Sequence, residues 1–226
     1  MSLFVVGTDT GVGKTVVTAG LVGWLRQDGL DAVGVKPCQT GAPEDDDARF
    51  VAQVCGERDA ATCGPRLGPA LAPAVAARET DTMLSYDEIR EHCRAAIDER
   101  DRAIVEGIGG LRVPLTEQTD VLDLVDDLDL PTLVVARSGL GTLNHTALTV
   151  EALRERGVTV RGVVLNQYEG ASVAERTNPA VIEAMTDCPV ATLPPISVDD
   201  GTALAGDGEA VIDAVASALP SAFREK

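Results

Sequence analysis

One segment near the start of the chain combines glycines, a lysine and a threonine in an order suited to binding phosphate. It reads Gly7-Thr8-Asp9-Thr10-Gly11-Val12-Gly13-Lys14-Thr15 and lies between an apolar run and a strongly helical stretch. In such a strand–loop–helix unit the backbone N–H groups turn toward phosphate oxygens, and the helix dipole adds to the attraction. Lys14 is expected to reach the β and γ phosphates, and the Thr15 hydroxyl to bind Mg²⁺. The segment therefore predicts a nucleotide-binding loop.

The spacing of this loop separates it from two related patterns. The common form G-x-x-x-x-G-K-T needs glycine at position 8, but Thr8 stands there and the glycine is Gly7, so this loop is one residue longer. A dinucleotide fingerprint G-x-G-x-x-G beginning at Gly11 would need glycine at position 16, where Val16 stands. A chance glycine turn is a third alternative, and the Gly-Lys-Thr ending before a helix argues against it.

Three more polar residues end apolar runs that we predict to be strands. Lys36 is one of three lysines in a chain with 19 basic residues, which favours a role facing a transferred phosphoryl group. Glu106 precedes a glycine-rich turn and suits a carboxylate partner of Mg²⁺. Asn166 stands where a nucleotide base could be read, a weak signal by itself. The alternatives are a solvated lysine that caps a strand and a turn acid before flexible glycines. Asp47 lies in an acidic run and from spacing alone is more often part of a solvated surface.

The histidines and cysteines predict no further chemistry. We place His92 on a polar helix face without a role, and His145 at the start of a helix. The five cysteines include no C-x-x-C pair, which suggests free thiols in a reducing compartment. Neither a Ser/His/Asp nor a Cys/His arrangement is visible, so phosphoryl transfer is the expected chemistry.

The pattern of apolar runs predicts the elements that position these residues. Strands are expected at 3–6, 32–35, 103–105, 132–136, 160–165 and 190–193, and helices at 14–27, 85–99, 121–128, 146–156 and 208–218. Apolar strands that alternate with helices indicate a doubly wound, mainly parallel sheet flanked by helices, in one α/β domain over residues 1–226. Ligands of such sheets bind beyond the carboxyl ends of the strands. Residues 57–82 are the least regular and are interpreted as a substrate-facing excursion.

Charge and hydropathy exclude several classes of partner. The formal net charge is −17, which disfavours binding to nucleic acid or to anionic membranes. Apolar runs are too short to span a membrane or form a signal peptide, so a cytoplasmic protein is expected. We interpret the scarcity of lysine and the excess of carboxylates as adaptation to high salt, typical of a halophilic organism. An ordinary acidic cytosolic protein is the alternative.

Taken together, these motifs resemble those of the dethiobiotin synthetases, the P-loop family that closes the ureido ring in biotin synthesis. The similar blocks occur in order over residues 3–195: Gly7–Thr15 with its extra residue, Lys36-Pro37-Cys38-Gln39-Thr40-Gly41, Asp47-Ala48, Val105-Glu106-Gly107-Ile108-Gly109-Gly110, Leu140-Gly141-Thr142-Leu143-Asn144-His145, and Leu165-Asn166. The resemblance implies that CO₂ adds to one amine of 7,8-diaminononanoate to form a carbamate. ATP then phosphorylates the carbamate, and the second amine closes the ring.

The resemblance also implies roles for individual residues. The matched catalytic positions are Thr10, Lys14 and Lys36, and the matched Mg²⁺ ligands are Thr15, Asp47 and Glu106. The matched ATP positions are Thr8, Asp9, Gly11, Val12, Gly13, Lys14, Thr15, Val16, Glu106, Asn166, Pro194 and Pro195. The matched substrate positions are Thr10, Lys36, Thr40, Gly109, Gly110, Gly141, Thr142 and Asn144. The family is a homodimer, so residues 141–144 would take the substrate carboxylate of the partner subunit.

Two departures and two rival readings accompany the resemblance. Gly11 replaces a glutamate found in some members, and 69–74 lacks the Ser and His of the substrate segment P-x-S-P-H. A cobyrinic-acid amidating synthetase would usually carry a glutamine-hydrolysing domain, for which this chain lacks the length and the nucleophile pattern. A partition or septum-positioning ATPase would carry an extra lysine early in the loop, where Asp9-Thr10-Gly11 stands.

Overall fold

A computed structural model of the chain describes residues 2–196 and 207–219. Within these residues a seven-stranded, fully parallel sheet runs through the centre of the molecule, and helices cover it. Its strands are β1 Leu3–Gly7, β2 Ala32–Lys36, β4 Ala61–Cys63, β6 Arg102–Gly110, β7 Thr132–Arg137, β8 Val160–Asn166 and β9 Val190–Thr192. A separate two-stranded parallel sheet pairs β3 Gln39–Thr40 with β5 Arg66–Leu67.

The order of the large sheet, β4-β2-β6-β1-β7-β8-β9, puts the strand before the nucleotide loop in the middle. β1 lies between β6 and β7, with Val5 paired to Glu106 on one side and to Leu133 on the other. The next strand beyond β6 is β2, which ends at Lys36. Because all these strands are parallel, their carboxyl ends bring the nucleotide loop, Lys36 and Glu106 to one edge.

Helices cover both faces of this sheet. Their bounds are α1 Lys14–Gln27, α2 Asp47–Cys55, α3 Pro73–Glu79, α4 Tyr86–Glu99, α5 Val121–Leu128, α6 Thr142–Glu155, α7 Val173–Thr186 and α8 Asp207–Ala218. One apolar core lies between the sheet and α1, α2 and α8, and includes Leu21 and Ile104. The other lies under α4 to α7 and includes Phe4 and Leu153. Strands buried on both faces account for their continuous apolar sequences.

The doubly wound α/β fold expected from the sequence is confirmed, and its elements differ in detail. Residues 57–82 are more regular than predicted, since they contain β4, β5 and α3. α2 and α7 were not predicted: the first begins in an acidic run, and the second contains Pro179, a residue that usually interrupts a helix. α6 begins at Thr142, one turn before the predicted start, because Gly141 adopts φ 92° and opens the helix without a side-chain cap.

Two further expectations meet the structure here. His92 is not on a fully solvated face: it is half-buried, and its Nε2 atom is enclosed without a hydrogen-bond partner among the described residues. Among all the residues that the structure describes, no helix is both long enough and apolar enough to cross a bilayer.

Candidate nucleotide and phosphoryl-transfer site

The nucleotide loop joins β1 to α1, and its glycines are required by local geometry. Gly13 caps α1 with φ 99°, a left-handed conformation that side chains with a Cβ disfavour. A Cβ at Gly13 would also lie 1.9 Å from Asn166 Nδ2. Gly7 is restricted for a different reason, because a Cβ there would lie 2.9 Å from Lys14 Nζ. The loop therefore packs against both the lysine and the asparagine predicted to act with it.

Lys14 folds back over the loop that carries it. Its ammonium donates a 3.0 Å hydrogen bond to the carbonyl of Asp9, and the residue is buried. Burial, aided by the positive charge of Lys36, outweighs the attraction of Glu106 and lowers the pKa of Lys14 to about 8. A phosphate bound in the loop would replace the carbonyl as partner and stabilise the charged form.

Lys36 is buried at the end of β2 and does not serve as a solvated cap. Its ammonium forms an ion pair with Asp47 and lies 3.1 Å from Glu106 Oε1. A further contact of 3.4 Å joins it to the carbonyl of Gly107. Burial by itself would lower the pKa of Lys36, but Glu106 and Asp47 outweigh burial and raise it. Lys36 is therefore held as a charged ammonium inside the cleft.

Thr15, Asp47 and Glu106 bring three oxygen-bearing side chains together from α1, α2 and β6. Thr15 Oγ1 lies 2.9 Å from Asp47 Oδ1 and 2.8 Å from Glu106 Oε1, and its single hydrogen can be donated to one of them at a time. Burial raises the pKa of Glu106, and the negative charge of Asp47 adds to that effect. Burial acts in the same direction on Asp47, but Lys36 and the Thr15 hydroxyl outweigh it and lower its pKa.

Asp47 reaches this cluster because α2 begins there. Asp46 caps the helix by accepting from the backbone N–H of Arg49 at 3.0 Å. Gln39 adds a second tether, since its Oε1 accepts from the backbone N–H of Asp47 at 3.1 Å and its Nε2 donates to Thr40 O at 2.8 Å. The sequence reasoning did not single out Gln39, although it lies inside the K-P-x-x-T-G block.

Asn166 contacts the nucleotide loop directly. Its Nδ2 donates a 3.0 Å hydrogen bond to Val12 O, which assigns the amide orientation, because a carbonyl requires a donor. Asn166 is buried at the end of β8. Pro194 and Pro195 follow β9 and are exposed. Asn166 thus links the edge expected to read a base with the loop expected to hold phosphate.

A cleft of about 600 Å³ opens over the loop and contains most of the predicted residues. Its lining includes Thr10, Gly11, Gly13, Lys14, Thr15, Val16, Lys36, Gln39, Thr40, Asp45, Asp47, Glu106 and Gly109. Its remaining wall is apolar and is formed by Ala70, Leu71, Ala72, Ile108 and Val113. Three of these apolar residues, at positions 70, 71 and 72, belong to the 69–74 segment that lacks the Ser and His of the family pattern.

Other predicted residues lie outside this cleft. Gly110 packs behind the loop, where a Cβ would lie 3.4 Å from Thr8 O. Gly141, Thr142 and Asn144 stand at the start of α6 and do not line the cleft. The Thr142 hydroxyl is buried, 3.3 Å from that of Thr146.

Comparisons with known proteins concern first the fold. A family model described as an AAA domain matches residues 1–199. The solved septum site-determining protein MinD of Pyrococcus horikoshii, complexed with Mg-ADP, aligns with TM-score 0.55 at 19% identity, covering 85% of this chain and 80% of its own. A ParA family ATPase from Chlorobium tepidum gives TM-score 0.59 at 14% identity, with coverages of 99% and 93%. At these identities the structural matches show the fold alone.

The proteins with similar sequences identify the family of this chain, which the similar folds do not. The ATP-dependent dethiobiotin synthetase BioD of Haloferax mediterranei is 66% identical over 194 residues, covering 86% of this chain and 84% of the relative. Those of Anaeromyxobacter sp. strain K and Aquifex aeolicus are 48% and 36% identical, covering 85% and 82% of this chain and 89% and 85% of the relatives. The phosphate loop, the buried lysine and the two carboxylates thus belong to a chain that aligns with these enzymes over most of its length: it is a member of the ATP-dependent dethiobiotin synthetase family.

Proposed function

We propose that this chain converts 7,8-diaminononanoate, CO₂ and ATP into dethiobiotin, ADP and phosphate. The observation that carries the proposal is the cleft in which Lys14 and Lys36 stand beside Thr15, Asp47 and Glu106. A carbamate formed on one amine must approach a polyanionic γ-phosphate, and buried cations offset that repulsion. Transfer of the phosphoryl group leaves a mixed anhydride, and attack by the second amine expels phosphate and closes the ring. We place the reaction in the cytoplasm.

Within this proposal the two lysines neutralise the negative charges of different groups. Lys14 leaves the Asp9 carbonyl and neutralises the β and γ phosphates of ATP. Lys36 is held as an ammonium by Asp47 and Glu106, so it faces the carbamate oxygen and the transferred group as a fixed charge. Thr10 and Thr40, which line the same cleft, are proposed to hold the diamine and its carbamate. Asn166 reads the base while its amide remains bonded to Val12 O.

The oxygen donors of Thr15, Asp47 and Glu106 fit a magnesium ion. The Thr15 hydroxyl lies 2.9 Å from an Asp47 oxygen and 2.8 Å from a Glu106 oxygen, and such hydroxyl and carboxylate oxygens are the hard ligands that Mg²⁺ prefers. When bound, the ion would neutralise charge on the β and γ phosphates. Asp47 and Glu106 also pair with Lys36, so they position the cation as well as the expected metal.

The apolar wall of the cleft supports an aliphatic substrate. Leu71, Ile108 and Val113 offer methyl and methylene contacts beside the polar end that carries Lys36. An alkyl chain between an amine-bearing head and a distant carboxylate gains from such contacts in proportion to the apolar area it buries. We propose that Gly109 and Gly110 contact the diamine end, and that the backbone of 141–144 takes the carboxylate.

We further propose that the chain acts as a homodimer, with 141–144 of one subunit completing the site of the other. In support, α6 and α7 expose large apolar side chains, including Leu148 at 55% and Met185 at 55%. Next to them Leu140, in the loop before α6, is 97% exposed. Analytical ultracentrifugation of Leu148→Asp should show a shift to monomer together with lost turnover. A fully active monomer would contradict the shared site.

Phosphate release from Mg-ATP in molar salt with bicarbonate, with and without 7,8-diaminononanoate, tests the function directly. Phosphate release that depends on the diamine is expected, with a product whose mass shows the added ring carbonyl. ATP hydrolysis that ignores the diamine would contradict the proposal.

A further inference from the structure

α7 carries a buried asparagine that is bonded entirely to the loop before α6. Asn178 is 3% exposed, and its Nδ2 donates to the backbone carbonyls of Ser138 at 2.7 Å and Gly139 at 3.1 Å. Both amide hydrogens are therefore used on two consecutive residues of one loop. An asparagine in the interior of a helix is unfavourable for the helix itself. The tertiary hydrogen bonds of Asn178 instead connect α7 to the loop before α6.

A second contact from α7 meets the same loop. Ser138 is buried, and its hydroxyl lies 2.9 Å from Glu175 Oε1 and 3.0 Å from the carbonyl of Gln167, with one hydrogen to donate between them. Glu175 is itself fixed by the capping box of α7, where Oε2 accepts from the N–H groups of Ala171 and Ser172. The loop is thus anchored to a rigid helix and to the residue after Asn166.

The anchored loop, residues 138–141, joins β7 to the start of α6. Directly before it, Arg137 at the end of β7 donates a 3.2 Å hydrogen bond to Thr10 O of the nucleotide loop. At its last residue, Gly141 opens α6 with no side-chain cap, and Gly139 O also accepts from Thr142 N at 3.4 Å. The first turn of α6 has no acidic residue to compete for its N–H groups. The orientation of that turn therefore depends on where residues 138 and 139 are held.

We propose that Asn178 is a positioning residue for substrate recognition: it holds the loop before α6 so that the first turn of that helix presents its N–H groups to the substrate carboxylate. This inference rests on the proposed function, because it adopts the assignment of 141–144 to the carboxylate. Asn178 does not line the cleft, and its two partners are the carbonyls of Ser138 and Gly139 next to the start of α6, so we expect its main effect at the carboxylate end of the diamine. Loss of its two hydrogen bonds deprives Ser138 O of the Asn178 donor and leaves Gly139 O with the longer 3.4 Å contact from Thr142 N, so the loop is held less firmly.

Asn178→Leu tests the proposal, with Thr186→Val as the matched control. Thr186 is also buried on α7, but its hydroxyl bonds only within the helix, to Ile182 O at 2.7 Å. Both variants remove a buried polar group from one helix, so both are expected to lower Tm. We expect Asn178→Leu alone to raise KM for 7,8-diaminononanoate by about tenfold, the effect of one to two hydrogen bonds, while KM for ATP is retained.

A carboxylate-free analogue separates positioning from general damage. The diamine 2,3-diaminononane is measured as a competitive inhibitor against 7,8-diaminononanoate in each protein. We expect Asn178→Leu to leave its Ki unchanged, because the analogue makes no contact with the start of α6. Equal loss of affinity for both diamines, or an unchanged KM for the natural one, would overturn the inference. Wild-type protein without diamine-dependent phosphate release would instead contradict the proposed function, which is a separate outcome.

Discussion

At the scale of single residues, the site is built from charges that are buried and paired before any ligand arrives. Lys36 on β2 and Glu106 on β6 are 5% and 2% exposed, and Lys36 also pairs with Asp47 at the start of α2. Removing one partner of a buried ion pair leaves an uncompensated charge, so these residues affect stability as well as turnover. Variants at this cluster therefore need a stability measurement beside each rate.

Lys36→Ala is expected to reduce turnover by about 10²-fold or more while leaving ATP binding largely intact, as for a cation that acts in the transition state. Steady-state phosphate release and equilibrium nucleotide binding measure the two effects. Arg66→Ala is the control, since Arg66 pairs with Asp46 at 2.8 Å on the surface near the same helix. Near-normal turnover in Lys36→Ala would remove this residue from the mechanism.

Gly13→Ala is expected to weaken ATP binding by at least about tenfold, because it combines backbone strain with a clash against Asn166. Gly29→Ala is the matched control: Gly29 also has a positive φ, of 82°, but a Cβ there would meet nothing within 4 Å. The control should cost about 1 kcal/mol of stability from strain and leave nucleotide binding unchanged. Equal affinities in the two variants would show that the contact with Asn166 has no consequence.

At the scale of elements, the helices that carry the site differ in how strongly the sequence predicts them. α1 is apolar and capped by the nucleotide loop, and its bounds match the prediction. α2 places Asp47, but it begins in an acidic run that suggests a solvated loop until Asp46 and Gln39 are seen to tether its first turn. α7 is similar, since its buried polar residues bond to a loop remote in sequence.

His92 on α4 is expected to make the protein less stable as pH falls. Burial lowers the pKa of His92 below 6.5, so the folded state favours the neutral ring. As pH drops below 6.5 the unfolded chain takes up a proton more readily than the folded chain, and the free energy of unfolding decreases. Tm is measured for wild type and His92→Leu at about pH 7 and about pH 5. The Tm of wild type, relative to that of His92→Leu, should be lower at about pH 5 than at about pH 7. Parallel Tm profiles would contradict this expectation.

At the scale of the whole molecule, negative charge dominates the surface. The net charge of −17 is spread over a chain whose exposed arginines are often shared among carboxylates. Arg156, for example, lies 3.1 Å from both Asp123 and Asp126. Such exposed pairs each contribute little, whereas repulsion among the excess carboxylates acts over the entire surface.

Salt is therefore expected to stabilise the fold. Between about 0.1 M and about 2 M KCl, Tm should rise because screening weakens the repulsion among carboxylates. A non-ionic osmolyte at equal osmolality is the control, since it acts without screening charge. A Tm that falls with KCl, or one that rises equally with the osmolyte, would show that net charge does not limit stability.

The amino-acid sequence by itself determined the fold class, the nucleotide loop and the order of the site blocks. These depend on local features: continuous apolar strands, glycines where the backbone turns sharply, and lysine placed where a strand ends. A reader of the sequence can therefore predict Lys14, Thr15, Lys36 and Glu106 as one site, because parallel strands end at one edge.

Tertiary structure alone decided which polar residues beyond these act together. Nothing in the spacing of Asp47 distinguishes it from its acidic neighbours. It becomes a partner of Lys36 because Gln39, eight residues earlier, holds the N–H that begins α2. In the sequence Asn178 resembles a surface residue of a helix that was not predicted, whereas in the structure its amide donates hydrogen bonds to the carbonyls of residues 138 and 139. Hydrogen bonds between residues far apart in sequence leave no periodic trace, so their partners emerge only when the chain has folded.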